Sequence, residues 1–158
     1  MADQIQNVLR QTEAFSAIED AELEKIAGFS GIARFEKGSR LFKEGEAAAH
    51  LWAIAGGQVD LRFEMPARQT TEIQTISTLS STGIIGWSSL LPPYKYKLSA
   101  YCSSQSCEVV KISGEQLLAF LKDNPETGYR VLRAMIQVVG TRFEHLQATA
   151  DAAPLSNS

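Results

Sequence analysis

The chain has 158 residues, 44% of them hydrophobic, and a formal net charge of −3. That length and composition suit one domain with one sizeable core and exclude a disordered chain. The acidic balance excludes a broad field for nucleic acid, no stretch approaches a membrane span, and two cysteines are too few for a disulfide framework or a zinc site.

The N-terminus has neither a basic leader nor an apolar signal segment, so a reducing cytoplasm is the expected location. Residues 5–28 read as helical. Ile5, Val8 and Leu9 recur at helical spacing, and Ser16-Ala17-Ile18-Glu19 has the form of a capping box ahead of Leu23, Ile26 and Ala27, with Phe15 placed as a hydrophobic staple. From Gly31 the period becomes short and strand-like. Brief apolar runs end at Gly38, Gly45 and Gly56-Gly57, which predicts antiparallel strands over residues 31–112, and a jelly roll is the compact way to remove their exposed edges. Residues 64–71 form a polar tip containing Pro66, and Ile73, Thr75 and Ser77 alternate into the next strand.

Ile84-Ile85-Gly86 ends an apolar strand at a glycine, and Trp87-Ser88-Ser89-Leu90-Leu91 is about one helical turn stopped by Pro92-Pro93. The first amides of such a turn, with the hydroxyls of Ser88 and Ser89 and the charge of Lys97, suit a small anion. A plainer reading fits the same residues: Gly86 as a turn, Trp87 and Leu90 as core, the lysines solvated. No residues here supply catalysis. There is no nucleophile elbow and no glycine-rich loop with lysine, and His50 and His145 are too few for the histidine–carboxylate cluster of a metal-dependent jelly-roll enzyme. No metal, no cofactor and no enzymatic activity are expected. Cys102 and Cys107 would face opposite sides of a straight strand, though a turn at Ser103-Ser104 could bring them together.

Beyond the closing strands, Ser113-Gly114-Glu115-Gln116 opens one helix and Asn124-Pro125-Glu126 opens another, expected to run to about Ala148. On the latter, Leu132, Ile136, Val139, Phe143 and Leu146 are spaced four, three, four, three, the seam of a coiled coil. A neighbouring row, Val131, Met135 and Val138, suits packing on the barrel. Homodimerisation through residues 129–147 is the expectation; one wide core-facing stripe is the alternative. Residues 149–158 read as a disordered tail.

The glycine at 86, the short turn, the proline loop and a basic residue at 97 resemble the phosphate-binding cassette of the cyclic-nucleotide-binding domain, the family that includes the catabolite-activator and fumarate–nitrate regulators of bacteria. Phe35-Glu36-Lys37-Gly38, Leu41-Phe42-Lys43-Glu44-Gly45 and the run from Leu51 to Val59 are similar to that family's glycine-marked strand turns. The resemblance covers about residues 10–147. It implies a mainly β α+β fold: an antiparallel jelly roll with N-terminal helices and a long C-terminal helix that pairs with a second copy and closes over the ligand. It further implies ligand contacts at Gly86, Trp87, Ser88, Ser89, Lys97 and Leu98, with base contacts near Arg142 and Phe143.

Three cassette positions depart from the family pattern. Trp87 stands where nucleotide binders have a ribose-binding glutamate, Lys97 where they have an arginine, and Leu98 where a small residue is common. Indole cannot accept a hydrogen bond, and lysine lacks the planar fork. At about 1.5–3 kcal/mol for each lost charge-assisted contact, affinity for an ordinary cyclic nucleotide falls about a hundredfold or more. The expected function is therefore a sensor or regulatory module that takes a small anion other than cyclic AMP and signals to a protein partner through its last helix. The alternative is a ligand-free dimerisation scaffold, its pocket filled by Trp87, Tyr94 or Tyr96. With only ten residues after the last helix, no helix-turn-helix fits, and no direct DNA binding is expected.

Overall fold

Short apolar runs broken at glycine become eight antiparallel strands. A computed structural model describes residues 2–152, with side chains for residues 3–148. The strands are β1 (Ser30–Glu36), β2 (Arg40–Phe42), β3 (His50–Gly56), β4 (Val59–Arg62), β5 (Thr75–Leu79), β6 (Ile84–Ile85), β7 (Ser99–Cys102) and β8 (Ser106–Ser113). They form two four-stranded sheets, ordered β1-β8-β3-β6 and β2-β7-β4-β5, which face each other as a jelly roll. The predicted turns at Gly38, Gly45 and Gly57 all have left-handed backbone.

Alternation along β3 shows how two cores arise. Leu51 and Ala53 point to one core, shared with Ile84, Val110 and Ile112 and covered by the helices. Trp52 and Ile54 point the other way, into the interior of the roll with Phe42, Ile85, Tyr96 and Val109. Period-two geometry sends neighbours to opposite faces, and because both faces are covered the strand reads as a continuous apolar run.

Helices α1 (Ala2–Gln11) and α2 (Asp20–Ala27) lie on the outer face of the first sheet. The sequence expectation of helix across 5–28 is corrected here, since residues 12–19 turn between them. Ser16 caps nothing. Glu19 occupies the cap and exchanges bonds reciprocally with Glu22, so the capping box sits three residues further on. Burial decides this: Ala14, Phe15 and Ile18 all enter the helix-side core, which holds the intervening segment in a turn. Helix α3 (Gly114–Asp123) begins as expected, with the Ser113 hydroxyl accepting from the Gln116 amide. Helix α4 (Pro125–Ala152) starts at the predicted proline and runs four residues past the predicted end. The expected tail is thus helical to residue 152, and residues 153–158 lie outside those described. No helix among the described residues is long and apolar enough to cross a membrane.

The short turn after β7 brings the two cysteines together inside the roll, where both are buried. Burial first, and then the neighbouring Cys102 thiol, push the Cys107 thiol up to about 12. A thiol so protonated is a poor nucleophile. A thiol-specific reagent at neutral pH is expected to label neither cysteine in the folded protein and both in denaturant. Rapid labelling without unfolding would contradict the buried placement.

Candidate functional site

The cassette leaves β6 at Gly86, whose backbone is left-handed with φ of 86°. A Cβ here would lie 2.9 Å from both the His50 carbonyl oxygen and Trp52 Cδ1, and 3.5 Å from Tyr96 Cε1. Only glycine meets both demands, the positive φ and the close approach. Trp87–Leu90 is a single 3₁₀ turn, as the Pro92-Pro93 stop predicted.

Tyr96, from the far end of the cassette, folds back beneath this glycine. It is 5% exposed, and its ring stacks on Phe42 with centroids 3.9 Å apart. Its hydroxyl donates to the His50 carbonyl at 2.9 Å and accepts from Trp52 Nε1 at 3.0 Å. Burial raises the phenol above its ordinary value, with these two bonds opposing. Lys111 lies over the Trp52 indole at 5.1 Å. Burial, then the Lys111 charge, hold His50 below the ordinary histidine value. The interior next to Gly86 is therefore packed with aromatic rings whose polar atoms are paired.

The predicted site residues divide into groups. Trp87 is half-buried, and Arg142 from α4 rests 5.9 Å above its ring. Arg142 also donates to the Ile84 carbonyl and approaches Glu13, so one side chain ties α4 to the strand that carries the cassette. Phe143 and Trp87 line the same groove. Ser89 turns away. It is buried, and both its amide and its hydroxyl donate to the Gly86 carbonyl. Ser88 and Leu98 are half-buried, and Lys97 is exposed, with no ion pair among the described residues. The structure thus gathers Trp87, Arg142 and Phe143, with Gly86 facing Trp52 and Tyr96 instead, and Lys97 has no ion pair among the described residues.

Two features escaped the sequence reading. From the sequence, Tyr96 is one of three candidate pocket fillers and Trp52 simply falls within the run from Leu51 to Val59; the glycine next to them signals the close approach but not its partner. The other is the groove between cassette and α4, about 690 Å³, lined by Trp87, Leu91, Leu118, Ile136, Val139 and Phe143 among others. Trp87 Nε1 is buried beside it with no hydrogen-bond partner.

The two apolar rows of α4 have separated. Val131 and Met135 are buried and Val138 half-buried, whereas Leu132, Ile136, Val139, Phe143 and Leu146 are 44–72% exposed. A single wide stripe facing the core is not what forms.

Residues 32–124, more than half of the chain, match the family described as cyclic nucleotide-binding domain. Among curated proteins none matches the chain. A protein from Geobacter metallireducens GS-15 assigned to cyclic nucleotide binding is similar in structure at TM-score 0.75 and 28% identity, over 87% of this chain and 97% of that one. A cyclic nucleotide-binding domain from Methylobacillus flagellatus KT aligns at 0.76 and 20% identity, over 99% and 85% of the two chains. The sensor domain of the transcriptional regulator DNR from Pseudomonas aeruginosa aligns at 0.72 and 19%, over 99% and 100%. With the jelly roll, the glycine-opened cassette and the long closing helix in place, the chain belongs to the cyclic nucleotide-binding domain family.

Proposed function

We propose that this domain is a non-catalytic regulatory module of the cytoplasm that acts through α4 on a protein partner, as a homodimer, and that it takes no ordinary cyclic nucleotide. The observation that carries this reading is Tyr96, stacked on Phe42 and bonded to Trp52 and His50 in the space next to Gly86. A nucleotide phosphate approaching that glycine from the side its missing Cβ would occupy would meet Trp52 and Tyr96, the latter backed by Phe42. It would also meet no glutamate for its ribose, since Trp87 follows Gly86. Pairing along Leu132, Ile136, Val139, Phe143 and Leu146 would cover the exposed row, and Arg142 would couple that interface to the cassette.

A second reading has its own support. Trp87 Nε1 is a buried donor without an acceptor, a condition that costs about 1–3 kcal/mol, and Lys97 is an exposed cation at the other end of the cassette. A small anion held by Lys97 and the turn after Gly86 would make the domain a sensor, with α4 as its lever.

Calorimetric titration with 3′,5′-cyclic AMP and cyclic GMP, paired with sedimentation analysis, tests the proposal. The expected result is no micromolar binding, a dimer for the native chain and a monomer for Ile136→Glu/Val139→Glu. Micromolar nucleotide binding would overturn the filled-pocket reading, and a monomeric native chain would overturn the dimer. Saturable binding of another anion, lost in Lys97→Ala, would favour the sensor.

A further inference from the structure

The outer face of the second sheet carries a polar construction that the cassette does not use. On β4, Asp60 and Arg62 form an ion pair at 2.8 Å with side chains only 6% and 7% exposed. Asp60 also accepts from Thr78 and Thr75, and the Arg62 guanidinium lies 4.7 Å above the Tyr101 ring. Just past β4, the Glu64 carboxylate accepts from Ser99, Thr70 and Tyr101 and pairs with Arg40 at 3.4 Å. These bonds fold the loop after β4 over the sheet and leave a cavity of about 450 Å³ between loop and strands.

Four cations line that cavity, Lys37, Arg40, Arg62 and Arg68, against two carboxylates, Glu64 and Glu72. With Asp60 paired behind Arg62, one positive charge remains in excess here, in a chain whose net charge is −3. Of the negative groups, Glu72 is exposed on the rim and the others are committed. Glu64 is already saturated by three hydroxyls and Arg40, and Arg62 is answered by Asp60. Lys37 and Arg68 are exposed on the rim and have no ion pair among the described residues. An arrangement of ordered polar groups on the floor and uncommitted cations on the rim suits a ligand with more than one negative charge, because charge-assisted bonds from arginine are the strong ones.

The geometry points to a second, cassette-independent site here, which binds a small polyanion of the phosphate class. It shares no lining residue with Gly86–Lys97 and does not depend on whether the cassette takes a ligand.

The test uses the full chain in a low-salt buffer free of phosphate, titrated calorimetrically with inorganic phosphate and with pyrophosphate. Saturable binding is expected, tighter for pyrophosphate and weakened by added salt. Lys37→Ala/Arg68→Ala should lower affinity about a hundredfold, roughly tenfold for each charge-assisted contact. Both residues are exposed and have no ion pair among the described residues, so the melting temperature of the free double variant should equal that of the parent, separating lost binding from lost fold. Lys97→Ala should bind as the parent does. No saturable binding up to millimolar pyrophosphate, equal affinity in the double variant, or loss of binding in Lys97→Ala would each overturn the assignment.

Discussion

Tyr96→Ala is expected to destabilise the domain by about 3–5 kcal/mol, the usual cost of truncating a buried aromatic side chain. At about 2–4 °C per kcal/mol for a chain of this size, the melting temperature should drop by about 6–20 °C. The ring is 5% exposed and stacked on Phe42, so its removal leaves a void inside the roll; it also strips Trp52 Nε1 of its acceptor. Tyr96→Phe separates the two effects. It keeps the ring and loses only the hydroxyl, for about 1–3 kcal/mol from the unpaired indole donor. Calorimetric melting of the three proteins checks the order. A Tyr96→Ala protein that melts with the parent would show that the ring does not sit in the core. The same variant also addresses function: if it gains affinity for a cyclic nucleotide that the parent lacks, the tyrosine is the plug.

Asp60→Ala should cost a similar amount, about 3–5 kcal/mol, because it leaves Arg62 buried without its counter-ion. The loss comes mainly from the stranded charge, so Asp60→Ala/Arg62→Met should recover much of it. Equal stability of single and double variants in urea would contradict this. The network also makes acid lability predictable. Burial raises the Asp60 carboxyl, but bonds from Thr78 and Arg62 and the Arg62 charge outweigh it, and the net shift is downward. Glu64 behaves alike: burial raises it, while bonds from Ser99, Thr70 and Tyr101 and the Arg40 charge bring it below its ordinary value. Carboxyls depressed by folding stabilise the native state above their unfolded values, near pH 4, and that contribution is lost as pH falls through the folded values. The urea midpoint should therefore fall steeply below about pH 4, and less steeply in Asp60→Asn. Identical slopes would remove Asp60 from the explanation.

Local signals were legible wherever one residue decides one backbone event. Gly38, Gly45 and Gly57 mark left-handed turns, Ser113 caps α3, and Pro125 opens α4 at the position where its missing amide costs nothing. Where two local signals competed, packing chose. Ser16 had the form of a cap, yet burial of Phe15 and Ile18 put the helix start at Asp20. In the cassette, the glycine, the turn and the proline stop were readable, but Ser89, which looked like an anion donor, spends its amide and hydroxyl within the turn.

By itself the sequence determined the jelly roll, its order of elements, the place of the cassette and the two apolar rows of α4. The strand-like runs, the turns and the apolar rows follow from period and from glycine and proline, which act over a few residues at a time, while the cassette and the full order of elements follow from the family resemblance. Tertiary structure alone decided which rings meet beneath Gly86, that Arg142 reaches back across 58 residues to the Ile84 carbonyl, and that Asp60, Arg62, Glu64 and Tyr101 assemble on one sheet face. Asp60 and Arg62 share a face by the alternation of one strand, but Tyr101, Ser99 and Ile84 are reached across neighbouring strands or far along the chain. Strand register and helix docking, which no short spacing records, set them.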